Sequence, residues 1–447
     1  MDPAHPGHGF RPDIEGLRAV AVLVVVLYHA AIPGLPGGFV GVDVFFVVSG
    51  FLITGLLLRD IVTTGTVRLA RFYGARARRL LPAGITVLVA VAVASAWWLP
   101  PLQARSVLHD ALASAAYAGN YRFAIRGTDY LAADAPPSPF QHYWSLGVEE
   151  QFYLLWPALL ITAAWIARSA AAFLRRPAHR RPSPGPPVAP ILLVVIGVAV
   201  VSFAISLRWT YTAPPWAFFS LPSRAWELAV GGLVALSVPV WHRLPSLLAA
   251  VAGWAGLALI LVGCLRLGSS TPYPGAAALL PVLGTALVIT AGCTQARGGV
   301  GTALSLRPLR QVGRYSYCWY LWHWPVLVLG PVVAGHALGL EARFTAVAVS
   351  AGLAVVTTHA VEDPVRFAAP LRRSPARSLL VGGGTTAVAV AASLLVLVAV
   401  PVPAGSGAAT PAPRLSMSAA PTVPAPGSGS RARPSPAAVQ SPAQALT

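Results

Sequence analysis

Two residues on one apolar stretch could do chemistry at two depths of a membrane. In Leu17–Ala31 (LRAVAVLVVVLYHAA), Arg18 and His29 stand eleven positions apart. At ~100° and ~1.5 Å per helical residue they share nearly one helix face, roughly 16 Å apart along the axis. An ionisable side chain inside a bilayer costs at least ~2.5 kcal/mol, so such groups turn toward protein or a watery cavity. The spacing points to a catalytic histidine near one membrane face and an anchoring arginine near the other. The alternative is an arginine that only flanks the span and a histidine that is only interfacial. Asp43 opens the next apolar run, GGFVGVDVFFVVSGFLIT (37–54), a short turn after His29. It is expected to pair with His29 and hold the imidazole tautomer, as base-orienting carboxylates do, with a structural helix-start aspartate as the alternative.

Three more stretches carry reactive groups. In QHYWSLGVEEQFYLLWP (141–157), Ser145 reads as a helix N-cap, with Glu149 and Glu150 in the first turns. One of the two carboxylates is expected to cap or pair with an arginine while the other acts on substrate or on His29. Arg224 and Glu227, three apart in SRAWEL, can satisfy each other, with contact to Glu149 or to donor phosphates as the functional alternative. RYSYCWYLWHWPVL (314–327) sets His323 in an aromatic run broken by Pro325, where a hydrogen-bonded core histidine is the default. Tyr317 and His323 stand as supporting candidates. RLARFYGARARRLLP (68–82), expected to be an inner loop just before the third apolar run, gathers Arg71, Arg76, Arg78 and Arg79. Such a cluster binds phosphates bidentately, binds anionic headgroups, or only sets topology.

The elements that must position these groups are membrane helices. The 447 residues are 56% hydrophobic and 10% charged, with a mean hydropathy of +0.67, which excludes an ordinary soluble globule. Eleven runs are long enough to cross ~30 Å of hydrocarbon: 15–33, 39–58, 82–100, 146–167, 190–206, 216–236, 245–264, 276–293, 313–333, 343–361 and 378–400. All 32 basic residues are arginine. The net charge of +18 falls mostly in alternate loops, which the positive-inside rule explains better than nucleic acid does. That asymmetry places the N-terminus in the cytoplasm and the C-terminus outside. The outer connection 101–145 holds Tyr117, Asn120, Tyr121, Tyr130, His142, Tyr143 and Trp144, either a sugar platform or an interfacial belt. The inner loop 168–190 is expected to be irregular, and 405–447, rich in Pro, Ala and Ser, a disordered outer tail. Cys264, Cys293 and Cys318 are odd in number and lack metal-ligand spacing, so no metal is expected. The N-terminal run is expected to be retained rather than cleaved as a signal peptide.

Seven motifs in order, RPDIEGLRAVAVLVVVLYHA, GVDVFFVVSGFLIT, RFYGARARRLLP, YWSLGVEEQFYLLWP, RAWEL, SYCWYLWHWP and EDPVR, resemble the integral-membrane acyltransferase family 3, over nearly all of 11–370. The family includes bacterial polysaccharide, lipopolysaccharide and peptidoglycan O-acetylases. The resemblance implies an all-α polytopic protein with a membrane acyltransferase domain in 1–370, an additional helix in 371–404 and the tail beyond. It implies that acyl-CoA is a substrate rather than a permanently bound cofactor, and that the acyl group, commonly acetyl, reaches a hydroxyl on an outer-face glycan. His29 is the implied catalytic base, oriented by Asp43 or by Glu149 and Glu150. Arg76 and Arg79, with Arg18, are the implied donor-binding residues; Ser145, Arg224, Glu227, Tyr317 and His323 are the supporting candidates. Many members continue into an outer SGNH-type domain, so a separate SGNH-type partner is one expectation, with independent action and truncation as the others. A glycan transporter and a non-catalytic scaffold are the competing classes.

Overall fold

A computed structural model describes residues 10–127, 137–173, 188–294, 296 and 298–402. The tail 405–447, Tyr130 and most of the loop expected at 168–190 lie outside these residues. The described chain is all helical: α1 (Pro12–His29), α2 (Gly41–Thr64), α3 (Leu69–Trp98), α4 (Pro101–Ala115), α5 (Gly119–Ile125), α6 (Tyr143–Phe173), α7 (Val188–Thr212), α8 (Pro214–Phe219) and α9 (Leu221–Leu236) come first. Then follow α10 (Val238–Trp241), α11 (Ser246–Arg266), α12 (Leu279–Ala291), α13 (Val300–Leu304), α14 (Arg307–Ala334) and α15 (Leu340–Thr357). A π-helical turn, Thr358–Glu362, leads into α16 (Asp363–Phe367), α17 (Ala369–Arg373) and α18 (Pro375–Ala399).

Each of the eleven apolar runs coincides with a helix, the run 216–236 being split into α8 and α9 at Ser220. Among the described residues, seven helical segments are long and apolar enough to cross a membrane, and α12 is a shorter apolar helix. Large apolar side chains such as Leu193, Val200 and Val201 on α7 are exposed, as a lipid-facing surface requires. Two expectations for the connections change. The stretch 101–145 contains α4 and α5, and the arginine cluster sits on α3 itself, so Arg76 and Arg79 are an i, i+3 pair on one helix.

Contacts give the relative directions. Gly16 and Gly313 bring α1 and α13–α14 into backbone contact at the arginine end of α1, and His29 meets His323 at its far end, so α1 and α14 run parallel. Asp43 lies by Arg224 and Thr54 by Gly232, while Ser49 bonds Glu149 and Thr54 takes the Trp156 indole N–H. Hence α2, α6 and α9 run together. The close approach of α2 to α9 depends on Gly50: a Cβ there would stand 2.6 Å from the Leu228 carbonyl carbon. Gly50→Val is expected to cost about 1–3 kcal/mol or more, read as a lower melting temperature in detergent; an unchanged melt would contradict the close packing.

Prolines inside helices leave carbonyls that other side chains use, because the missing N–H would have bonded four residues back. Pro157 leaves the Tyr153 carbonyl, near which the Tyr73 hydroxyl lies at 3.4 Å while donating to the Leu154 carbonyl at 3.0 Å. Pro325 leaves the Leu321 carbonyl, and His142 Nε2 lies 3.0 Å from it.

Candidate active site

A cavity of about 1480 Å³ opens at the arginine end of the bundle. Arg18 on α1, Arg76 and Arg79 on α3, and Arg366 on α16 line it, and it reaches Ser49, Ser145, Glu149, Tyr153, Tyr317 and Tyr320. Arg76 stacks 3.3 Å above the Tyr153 ring centroid and pairs with Glu150 at 3.3 Å. Glu149 turns into the cavity and accepts the Ser49 hydroxyl at 2.8 Å. Of the two adjacent carboxylates, Glu150 is held by an arginine and Glu149 faces the cavity. Among the described residues, neither Arg18 nor Arg79 has a carboxylate within 4.0 Å. Two guanidiniums left in this way, beside a third already in an ion pair, make a wall suited to phosphate oxygens.

The cavity ends at two hydroxyls. Ser145 Oγ lies 2.7 Å from the Tyr320 hydroxyl, which donates to the His142 carbonyl at 3.0 Å. Helix α6 begins at Tyr143, so Ser145 is inside its first turn rather than an N-cap, and its hydroxyl faces Tyr320. Tyr317, Tyr320 and His323 follow at i, i+3 and i+6 along α14, which places His323 one turn past the cavity's end. Tyr317 itself donates to the Leu80 carbonyl at 2.8 Å, tying α14 to α3.

Beyond the hydroxyl pair lie three imidazoles. His29 Nδ1 is 2.9 Å from His323 Nε2, and the Trp324 ring packs edge-on against His29 with centroids 4.6 Å apart. His323 and His142 are fully buried and His29 is half-buried. Burial, with His323 beside it, holds the His142 imidazole well below its usual range. Among the described residues, no group of three His, Cys, Asp or Glu is placed to hold a metal ion. His29 is absent from the cavity lining, so the cavity and this ring are separate features joined through Tyr320 and His323.

The expected pairing of Asp43 with His29 is not formed. Asp43 turns instead to Arg224 at 3.1 Å, and Arg224 Nε lies 3.1 Å from Glu227. All three are buried, with the guanidinium among the rings of Phe46, Trp144, Phe218 and Tyr273. The sequence reading of Arg224 with Glu227 holds, but contact with Glu149 is replaced by contact with Asp43. The sugar platform also fails as read. Asn120 bonds Gln151 and the Phe219 carbonyl in the interior, and His142, Tyr143 and Trp144 are core residues. Tyr320, Ser49, Tyr153 and Arg366 were missed as cavity residues; the i, i+3, i+6 spacing on α14 was the available signal for Tyr320.

This arrangement defines a multi-pass membrane protein with a cationic cavity entering from one end and an imidazole pair past its blind end. Residues 11–359 match the acyltransferase domain family, and the chain belongs to that family. It is 31% identical over 369 residues to the peptidoglycan O-acetyltransferase OatA of Listeria monocytogenes, covering 79% of this chain and 56% of that protein. It is 33% identical over 375 residues to the putative peptidoglycan O-acetyltransferase YrhL of Bacillus subtilis, covering 80% and 55%. The O-acetyltransferase OatA of Staphylococcus aureus is 27% identical over 364 residues, covering 80% and 57%. The chain thus spans little more than half the length of these relatives. No solved structure matches it.

Proposed function

We propose that the protein is a membrane O-acetyltransferase that moves an acyl group, in the first instance acetyl, from cytoplasmic acyl-CoA to a hydroxyl of peptidoglycan or another envelope glycan. The observation that carries this reading is the cavity, whose arginine-lined mouth suits CoA phosphates and whose blind end lies one α14 turn from the His29–His323 pair. The names of the relatives support the acetyl group and the glycan. In this reading the arginine end faces the cytoplasm and residues 1–370 form the catalytic unit. The helix α18 braces α3 through Arg78, which donates to Ser378 Oγ at 2.8 Å.

The step balances without a further reagent. The acceptor oxygen attacks the thioester carbonyl, a C–O bond forms and the C–S bond breaks. The hydroxyl proton passes to His29 and from there to the leaving CoA thiolate. The Ser145–Tyr320 hydroxyl pair stands between the donor cavity and His29, so it must part, or one hydroxyl takes the acyl group as its proton goes to the CoA thiolate and then yields it to the acceptor oxygen, whose proton restores the hydroxyl. Past His29 the group goes to the glycan directly or through an SGNH-type partner.

Donor binding provides the test. A charge-assisted hydrogen bond contributes about 1.5–3 kcal/mol, so Arg76→Ala with Arg79→Ala is expected to weaken acetyl-CoA binding by about 100-fold or more. Binding of labelled acetyl-CoA to the purified protein measures this; wild-type affinity in the double variant would make these arginines topogenic only.

A further inference from the structure

The histidine pair contains its own tautomer assignment. His323 Nδ1 lies 2.7 Å from the Tyr320 carbonyl and 3.3 Å from that of Trp319. A carbonyl only accepts, so Nδ1 carries the hydrogen. His323 is fully buried and, among the described residues, has no carboxylate within 4.0 Å, so a charge on its ring would be uncompensated and the ring is neutral. Its Nε2 therefore presents a lone pair, directed at His29 Nδ1 across 2.9 Å. One hydrogen must lie between these two nitrogens, and His323 does not supply it. It belongs to His29 Nδ1. The ring centroids are 5.2 Å apart with planes 21° from parallel, so the N–H···N line runs close to both ring planes.

We propose that His323 is the positioning residue for His29, holding its Nδ1–H so that the neutral ring keeps its lone pair on Nε2. This rests on the proposed reaction and replaces the carboxylate expected at Asp43 with a neutral imidazole anchored by the backbone of its own helix. When His29 takes the acceptor proton at Nε2, the Nδ1–H bond to His323 is kept. The proton then leaves from Nε2 to the thiolate, and His323 needs no change of protonation through the cycle. Unlike a buried carboxylate, it places no second charge beside the imidazolium. His142 adds a neighbouring ring whose orientation is set in the same way, its Nε2 facing the Leu321 carbonyl that Pro325 leaves open.

The test compares two substitutions and a spectrum. His323→Leu removes the acceptor for His29 Nδ1–H, while His323→Gln can return one through its amide oxygen. Losing an orienting partner costs on the order of 10²-fold, so His323→Leu is expected to lower kcat by about that factor with the KM for acetyl-CoA little changed. His323→Gln is expected to recover at least about tenfold of this loss. In ¹⁵N-histidine spectra of the full-length protein in lipid, the resonances lost in His29→Ala are expected to show a protonated Nδ1 and an unprotonated Nε2 in the neutral ring. Wild-type kcat in His323→Leu, a folded His323→Gln no better than leucine, or a neutral His29 protonated at Nε2 would each overturn the assignment. If His29→Ala is inactive while His323→Leu is fully active, only this inference falls. If His29→Ala is itself active, the proposed function falls first, and the spectrum still decides the tautomer. Should His323→Leu fail to fold, the glutamine variant and the wild-type spectrum decide.

Discussion

His29→Ala is expected to lower acyl transfer by about 10²–10⁴-fold, the usual contribution of a positioned general base, while the protein still inserts and purifies normally. The structural cost should be small. His29 is the last residue of α1, half-buried, and α1 is held elsewhere by Leu17, Val22 and Val25 in the core and by Arg11, which pairs with Asp13 and donates to the Ile289 carbonyl. What the substitution removes is the ring that faces His323 and Trp324. Transfer of labelled acetyl to a peptidoglycan fragment, at matched protein levels, measures the effect. Wild-type transfer in this variant would favour a transporter or a scaffold for another enzyme.

Arg224→Met is expected to have the opposite profile, a loss of fold rather than of chemistry. It would leave the Asp43 and Glu227 carboxylates buried without their guanidinium. Breaking a buried ion pair from one side costs about 3–5 kcal/mol, whereas replacing all its members with neutral groups is often close to neutral. Arg224→Met alone should therefore collapse the melting temperature and yield. Arg224→Met combined with Asp43→Asn and Glu227→Gln should restore both, and with them substantial transfer activity. Full stability of the single variant, or a folded but inactive triple variant, would return Asp43 to the reaction, as its place in the sequence first implied.

The contrast between these two residues shows what was legible in the chain. Hydropathy located a helix at each of the eleven runs, and helical spacing put Arg18 and His29 at two depths of α1, because both are local properties of one segment. The partner of Asp43 is not local. Nearness in sequence favoured His29, but Gly50 lets α2 and α9 approach until Arg224 reaches the carboxylate first. His323 was read as a hydrogen-bonded core histidine, which it is; that its other nitrogen faces His29 depends on α1 lying parallel to α14. The arginine ladder was placed in a loop because arginines usually end a membrane helix, yet α3 begins at Leu69 and carries them along its first turns. Asn120 looked available for sugar, but pairing with Gln151 and the Phe219 carbonyl satisfies it inside the bundle.

The central claim is that donor and acceptor are served from opposite ends of one bundle. Proteoliposomes with the protein in one verified orientation, an enclosed glycan acceptor or an external one, and labelled acetyl-CoA on a chosen side measure it directly. Transfer is expected only when acetyl-CoA is supplied at the arginine end and the glycan at the His29 end. Equal transfer with acetyl-CoA confined to the His29 end would contradict the account.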